Sequence, residues 1–64
     1  MRAWIARDKT GALWVYEKAP LFAHNTGEFY CGIGELNSEL DERFFPEVTF
    51  ENSPMEVELK LVEK

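Results

Sequence analysis

The stretch Arg2–Glu17, RAWIARDKTGALWVYE, decides the fold. Two short runs rich in Trp, Ile, Val and Tyr (Arg2–Arg7 and Ala12–Glu17) flank Asp8-Lys9-Thr10-Gly11. β-branched and aromatic side chains suit a pleated surface. Asp at the first position of a turn and Gly at the fourth is the signature of a type I turn closing on a left-handed residue. The sequence therefore predicts a β-hairpin with Trp4 opposite Tyr16, Ile5 opposite Val15, Ala6 opposite Trp14 and Arg7 opposite Leu13. Successive side chains alternate between faces. Ala3, Ile5, Leu13 and Val15 thus share one face, and Trp4, Trp14 and Tyr16 the other. An antiparallel sheet in a small protein ordinarily keeps one face in water, yet both faces here are apolar. Either the rest of the chain wraps both sides, or another molecule completes one.

Working outward, Lys18-Ala19-Pro20 ends the second strand, because proline donates no ladder hydrogen bond. Asn25-Thr26-Gly27 carries turn chemistry. Glu28–Ile33 (EFYCGI) resumes strand character, with Phe29, Cys31 and Ile33 on one face. The helical signal is Ser38 as a cap, Asp41 three residues on, and Leu40 and Phe44 four apart. Pro46 stops that helix and biases Phe45 toward extended backbone. Glu47–Glu51 alternates Val48 and Phe50 with polar neighbours. After Asn52-Ser53-Pro54, Met55–Leu61 alternates Met55, Val57, Leu59 and Leu61 against Glu56, Glu58 and Lys60, the cleanest period of two in the chain.

The expectation is one mainly β domain over residues 1–64: a small antiparallel meander or partly closed barrel with one short helix plugging an end. It has about five strands, at 2–7, 12–17, 28–33, 47–51 and 55–62. The expected core is Ile5, Leu13, Val15, Phe29, Ile33, Leu40, Phe44, Val48, Phe50, Val57, Leu59 and Leu61.

Composition narrows the class. The chain has 64 residues, 45% of them hydrophobic and nine aromatic, with a net charge of -5. That is too apolar for a disordered acidic tail. It is also short: below roughly 70–80 residues one core rarely supplies more than about 3–5 kcal/mol without a staple. The lone Cys31 cannot form an internal disulfide. The N-terminus shows no signal-peptide core, and the apolar runs fall far short of the roughly 20 residues that span a bilayer. A cytoplasmic protein without membrane contact is expected. Residues 1–27 carry a net +2 and residues 28–64 a net -7. No Lys/Arg cluster exists to neutralise phosphates, so direct nucleic-acid binding is not expected.

The segments IARDKTGALWVY (residues 5–16) and FFPEVTFENSPMEVEL (residues 44–59) together resemble a family of short uncharacterised bacterial proteins. These occur in gut-commensal genomes and their mobile elements, and share an ARD-x-x-G-x-L start and an FPEVTFENSP-x-EVEL end. The resemblance covers both ends of the chain and leaves the middle, residues 21–37, variable. It implies a complete small protein and carries no activity. Physically, both motifs read as fold specification: a turn at Asp8–Gly11, a bracketed strand between Pro46 and Pro54, and loop hydrogen bonds from Asn52-Ser53.

Chemistry-bearing residues are few. His24 and Cys31 are the sole members of their types, and a nucleophilic pair needs contact and an orienting third group. Cys31 on an apolar face is expected to behave as a small inert hydrophobe. Zinc needs about four ligands, and Glu39, Asp41 and Glu42 lack the glycine turn of a calcium loop. No catalytic residue, metal or cofactor is expected. The better candidate is the aromatic hairpin face: Trp4, Trp14 and Tyr16, rimmed by Arg2 and Lys18, have the make-up of a binding hot spot. The favoured expectation is a non-enzymatic interaction protein that binds a protein partner or self-associates through that face. The alternative is an acidic mobile-element inhibitor or ligand-sequestering protein acting through Glu56, Glu58, Glu47 and Glu51 on a host enzyme or signalling molecule.

Overall fold

A computed structural model describes residues 2–58 of the chain. It contains six strands: β1 (Arg2–Arg7), β2 (Leu13–Tyr16), β3 (Leu21–Ala23), β4 (Glu28–Tyr30), β5 (Asn37–Leu40) and β6 (Met55–Glu58). Four of them form an antiparallel sheet in the order β5-β2-β1-β6, and β3 and β4 form a separate two-stranded ribbon. The protein is all-β among the described residues, with no helix and no closed barrel.

The opening hairpin has the expected register, Trp4 to Tyr16 through Arg7 to Leu13. The Asp8 N–H donates to the Ala12 carbonyl at 2.8 Å, and the Gly11 N–H to the Asp8 carbonyl at 2.9 Å. Gly11 takes the left-handed conformation with φ 99°.

The sheet has two covered faces. On the first, Ile5, Leu13 and Val48 form the buried cluster, with Val15, Leu40, Met55 and Val57 packed against it. Val48 comes from the connection between β5 and β6, which lies over this face. On the second face the ribbon crosses the sheet. The Tyr16 hydroxyl donates to the Phe29 carbonyl at 3.2 Å, and the Phe29 N–H donates to Asp8 Oδ1 at 2.9 Å. Ala6 and Tyr16 are almost completely buried beneath it.

Adjacent residues hold these two layers. Arg7 and Asp8 point to opposite faces because strand side chains alternate. The Arg7 guanidinium donates to five backbone carbonyls: Val48 (2.6 Å), Gly11 (2.8 Å), Glu42 and Phe44 (3.0 Å each) and Phe45 (3.2 Å). Its backbone N–H donates to Ser53 Oγ at 2.8 Å. Arg7 thus ties the 41–54 connection to the first face, and Asp8 ties the ribbon to the second. The shortage of core noted from chain length is met by polar staples instead.

That network also explains where the structure departs from the sequence reading. The helix expected after Ser38 is absent: Asn37–Leu40 is instead the edge strand β5, paired with β2 from Leu13–Leu40 to Tyr16–Asn37. Carbonyls of residues 42, 44 and 45 that a helix would use internally are spent on Arg7. Phe45 is not extended but left-handed at φ 50°, its carbonyl shared by Arg7 and the Val48 N–H. The strand expected at 47–51 is a loop. Thr49 and Asn52 exchange backbone N–H to side-chain bonds of 2.8 and 3.2 Å, and Asn52 Nδ2 donates to the Glu47 carbonyl at 2.8 Å.

The strand expected at 28–33 stops at Tyr30, because Gly32 opens a turn closed by the Glu35 N–H at 3.1 Å. Ile33, at the tip of that turn, and Phe44 are exposed rather than core. β3 was not anticipated. Of the strand expected at 55–62, residues 55–58 are seen as β6; residues 59–62, including the expected core positions Leu59 and Leu61, lie outside the described residues.

Candidate functional site

The residues proposed for binding do not form one patch. Tyr16 is only 1% exposed and belongs to the interior. Burial first, then the negative charge of Asp8 and of Cys31 and Glu28 near it, pushes its hydroxyl up to about 12. Trp4 and Trp14 are both half-buried on the ribbon-covered face, but the buried Ala6 and Tyr16 lie between them. Trp4 neighbours Glu56 on β6, whereas Trp14 neighbours Glu39 on β5. Arg2 is exposed and sits 3.9 Å from Glu56, an ion pair of little energetic weight. Lys18 is exposed in the loop after β2.

Trp14 and the buried Tyr16 border one cavity. In the ribbon, Leu21 pairs with Tyr30, Phe22 with Phe29 and Ala23 with Glu28. Glu28 and Tyr30 therefore share one ribbon face and Phe22 and Phe29 the other. The phenylalanine face packs against Phe50: Phe22 lies 4.9 Å from Phe29 and 5.6 Å from Phe50, and His24 meets Phe22 edge-on at 4.8 Å. Glu28 and Tyr30 are both exposed. Between ribbon and sheet lies a cavity of about 300 Å³ whose walls include Asp8, Trp14, Tyr16, Glu28, Phe29, Tyr30, Cys31 and Glu39. Tyr30 is 47% exposed and Asp8 5%. Aromatic walls, a buried carboxylate and two exposed carboxylates suit a cationic group.

A second cavity of about 580 Å³ opens on the other face, where Ala3, Val15, Glu17, Leu36 and Ser38 meet. It is mainly apolar. Among the described residues no group of three or more Asp, Glu, His or Cys side chains is placed to hold a metal ion. His24 and Cys31 are not brought together. The ribbon register sets them at opposite ends, roughly 10 Å or more apart along the strands. The Cys31 thiol instead contacts the Glu35 carbonyl at 3.6 Å. No described helix is long and apolar enough to cross a membrane.

Asp8, Glu28, Tyr30 and Glu39 were not among the binding residues expected from sequence. Strand parity in Glu28–Tyr30 already placed Glu28 beside Tyr30; what was missing was the fold-over of the ribbon onto Trp14. Comparison with models of known families, with curated proteins and with solved structures found no match.

Proposed function

We propose that this chain is a non-enzymatic interaction protein of the cytoplasm that binds a protein partner through the cavity between ribbon and sheet. The supporting observation is that Trp14 and Tyr30, large aromatics of the kind that dominate binding energy, flank an open cavity while Trp4 stands apart from it. The hot spot is thus narrower than the hairpin face: Trp14 and Tyr30 replace the trio of Trp4, Trp14 and Tyr16, with Arg2 and Lys18 outside it.

Affinity capture from a lysate of the native host tests this. The wild-type chain and Trp4→Ala are expected to retain the same partner, and Trp14→Ala and Tyr30→Ala to lose it. Retention by both cavity variants contradicts the proposal. Sedimentation of the purified chain separates a foreign partner from self-association, since a dimer abolished by Trp14→Ala makes the partner a second copy. The acidic-inhibitor reading draws on Glu56 and Glu58, exposed on the sheet-edge strand β6. Charge reversal at both weakens the complex on that reading and leaves it unchanged on the first.

A further inference from the structure

Three features of the cavity go beyond its being aromatic. First, among the described residues the cavity's walls of fixed charge are all acidic: Asp8, Glu28 and Glu39 line it, and no described lysine, arginine or histidine does. Second, Asp8 is only 5% exposed, and one of its oxygens accepts the Phe29 N–H. The other has no hydrogen-bond or ion-pair partner among the described residues. No buried side-chain oxygen among the described residues lacks a partner, so this second oxygen is the part of Asp8 that water reaches, and a cation in the cavity meets a carboxylate that makes no ion pair among the described residues. Third, the walls include large aromatic side chains: Trp14 from the sheet and Tyr30 from the ribbon. Indole and phenol faces attract cations through their quadrupoles, and the attraction grows as the cation sheds water.

A metal ion is a poor fit for these walls. The carboxylates come from three separate elements and do not converge as metal ligands, and hard cations demand close oxygen shells. An alkylammonium group suits carboxylates spaced around aromatic rings, because its charge is spread over a wider, partly apolar surface. An adjoining depression, which shares Ala12 and Glu39 with the cavity, adds Asp41 and Glu42. Asp41 is already engaged by Arg43 at 2.8 Å, which leaves Glu39 and Glu42 to extend the acidic surface.

We infer that the cavity between ribbon and sheet receives an alkylammonium group, the side chain of a lysine presented by the protein partner. This rests on the partner-binding reading above and names the chemistry of the contact. Trp14 and Tyr30 face the methylene stem and the ammonium, Asp8 supplies the buried counter-charge, and Glu28 and Glu39 attract the approaching cation.

The test uses the intact chain and a short Gly/Ser peptide with one central lysine, followed by NMR of the two indole N–H signals. The same peptide with norleucine is the neutral control, and spermidine represents a free polyamine. The lysine peptide is expected to shift the Trp14 signal and leave Trp4 unmoved, with the norleucine peptide at least about tenfold weaker. Trp14→Ala, Tyr30→Ala, Glu28→Gln and Glu39→Gln are each expected to weaken lysine binding by roughly threefold to thirtyfold. Asp8→Asn is less suitable because Asp8 also holds the ribbon, whereas Glu28 and Glu39 are exposed and their variants keep the fold.

Equal binding of lysine and norleucine peptides overturns the inference, as does an unmoved Trp14. A response to spermidine alone overturns the protein source. If the peptides fail while partner capture still depends on Trp14, the binding surface stands and the ammonium assignment falls.

Discussion

Arg7 is the residue on which most of the fold converges. Its guanidinium has five N–H donors in a rigid fork, and the five carbonyls it meets come from the hairpin turn and four positions of the 41–54 connection. Lysine has a single point charge and three donors that cannot span that arc. Arg7→Lys is therefore expected to cost about 2–4 kcal/mol in urea unfolding and to lower Tm by on the order of 10 °C or more. A loss within about 0.5 kcal/mol would show that the carbonyls are held by something else. Tyr16 offers a second test at this scale. Its hydroxyl is raised to about 12 from 10.0, so the folded state holds the proton more tightly than the unfolded one. The associated stability is complete below pH 10 and is lost as pH rises toward 12, by about 2–3 kcal/mol. Tyr16→Phe should remove that portion of the alkaline fall, read as stability at pH 9 against pH 12. An identical alkaline profile in the two proteins would place the origin elsewhere.

At the scale of elements, how much could be read from sequence depended on whether local signals or distant donors chose the backbone. The β1–β2 register was fully legible because Asp8 and Gly11 fix the turn and every later pair follows from it. The burial of Val48 was legible too, although its segment is no strand: the period of two was real, but Thr49 and Asn52 side chains consume the backbone groups a ladder needs. The helix failed for a non-local reason, since nothing in residues 38–46 shows that Arg7 will claim their carbonyls. β5, with three polar residues in NSEL, has almost no strand propensity of its own and exists because β2 offers a free edge. The cavity was illegible for the same cause: it arises only when the ribbon folds over the sheet.

Docking of the ribbon onto the hairpin turn makes a prediction at this scale. The Lys9 N–H donates to the Gly27 carbonyl at 3.1 Å, and a Cβ on Gly27 would lie 3.2 Å from Lys9 Cβ at φ 73°. Gly11 has φ 99° but open space around it. Gly11→Ala should cost about 1 kcal/mol from backbone conformation alone. Gly27→Ala should cost about twice that, because the Lys9 stem must also move. Equal losses in thermal unfolding would mean that ribbon and turn are not in contact.

For the whole molecule, the two staples divide the labour. Arg7 closes one face of the sheet over Ile5, Leu13 and Val48, and Asp8 closes the other over Ala6 and Tyr16. Asp8 does this at the base of the cavity, so the same carboxylate that fixes the ribbon sets the charge of the site. On the proposed function, the net charge of -5, concentrated in the later half of the chain, would repel a second copy and attract a basic partner. Amide hydrogen exchange of the chain alone and in complex with its captured partner tests this account most directly. The account predicts new protection confined to the segments around Ala12–Trp14, Glu28–Tyr30 and Glu39, with the Arg7-held connection at 42–48 unchanged. Protection centred on 42–48 or on β6, with the Trp14 and Tyr30 amides unaffected, would contradict it.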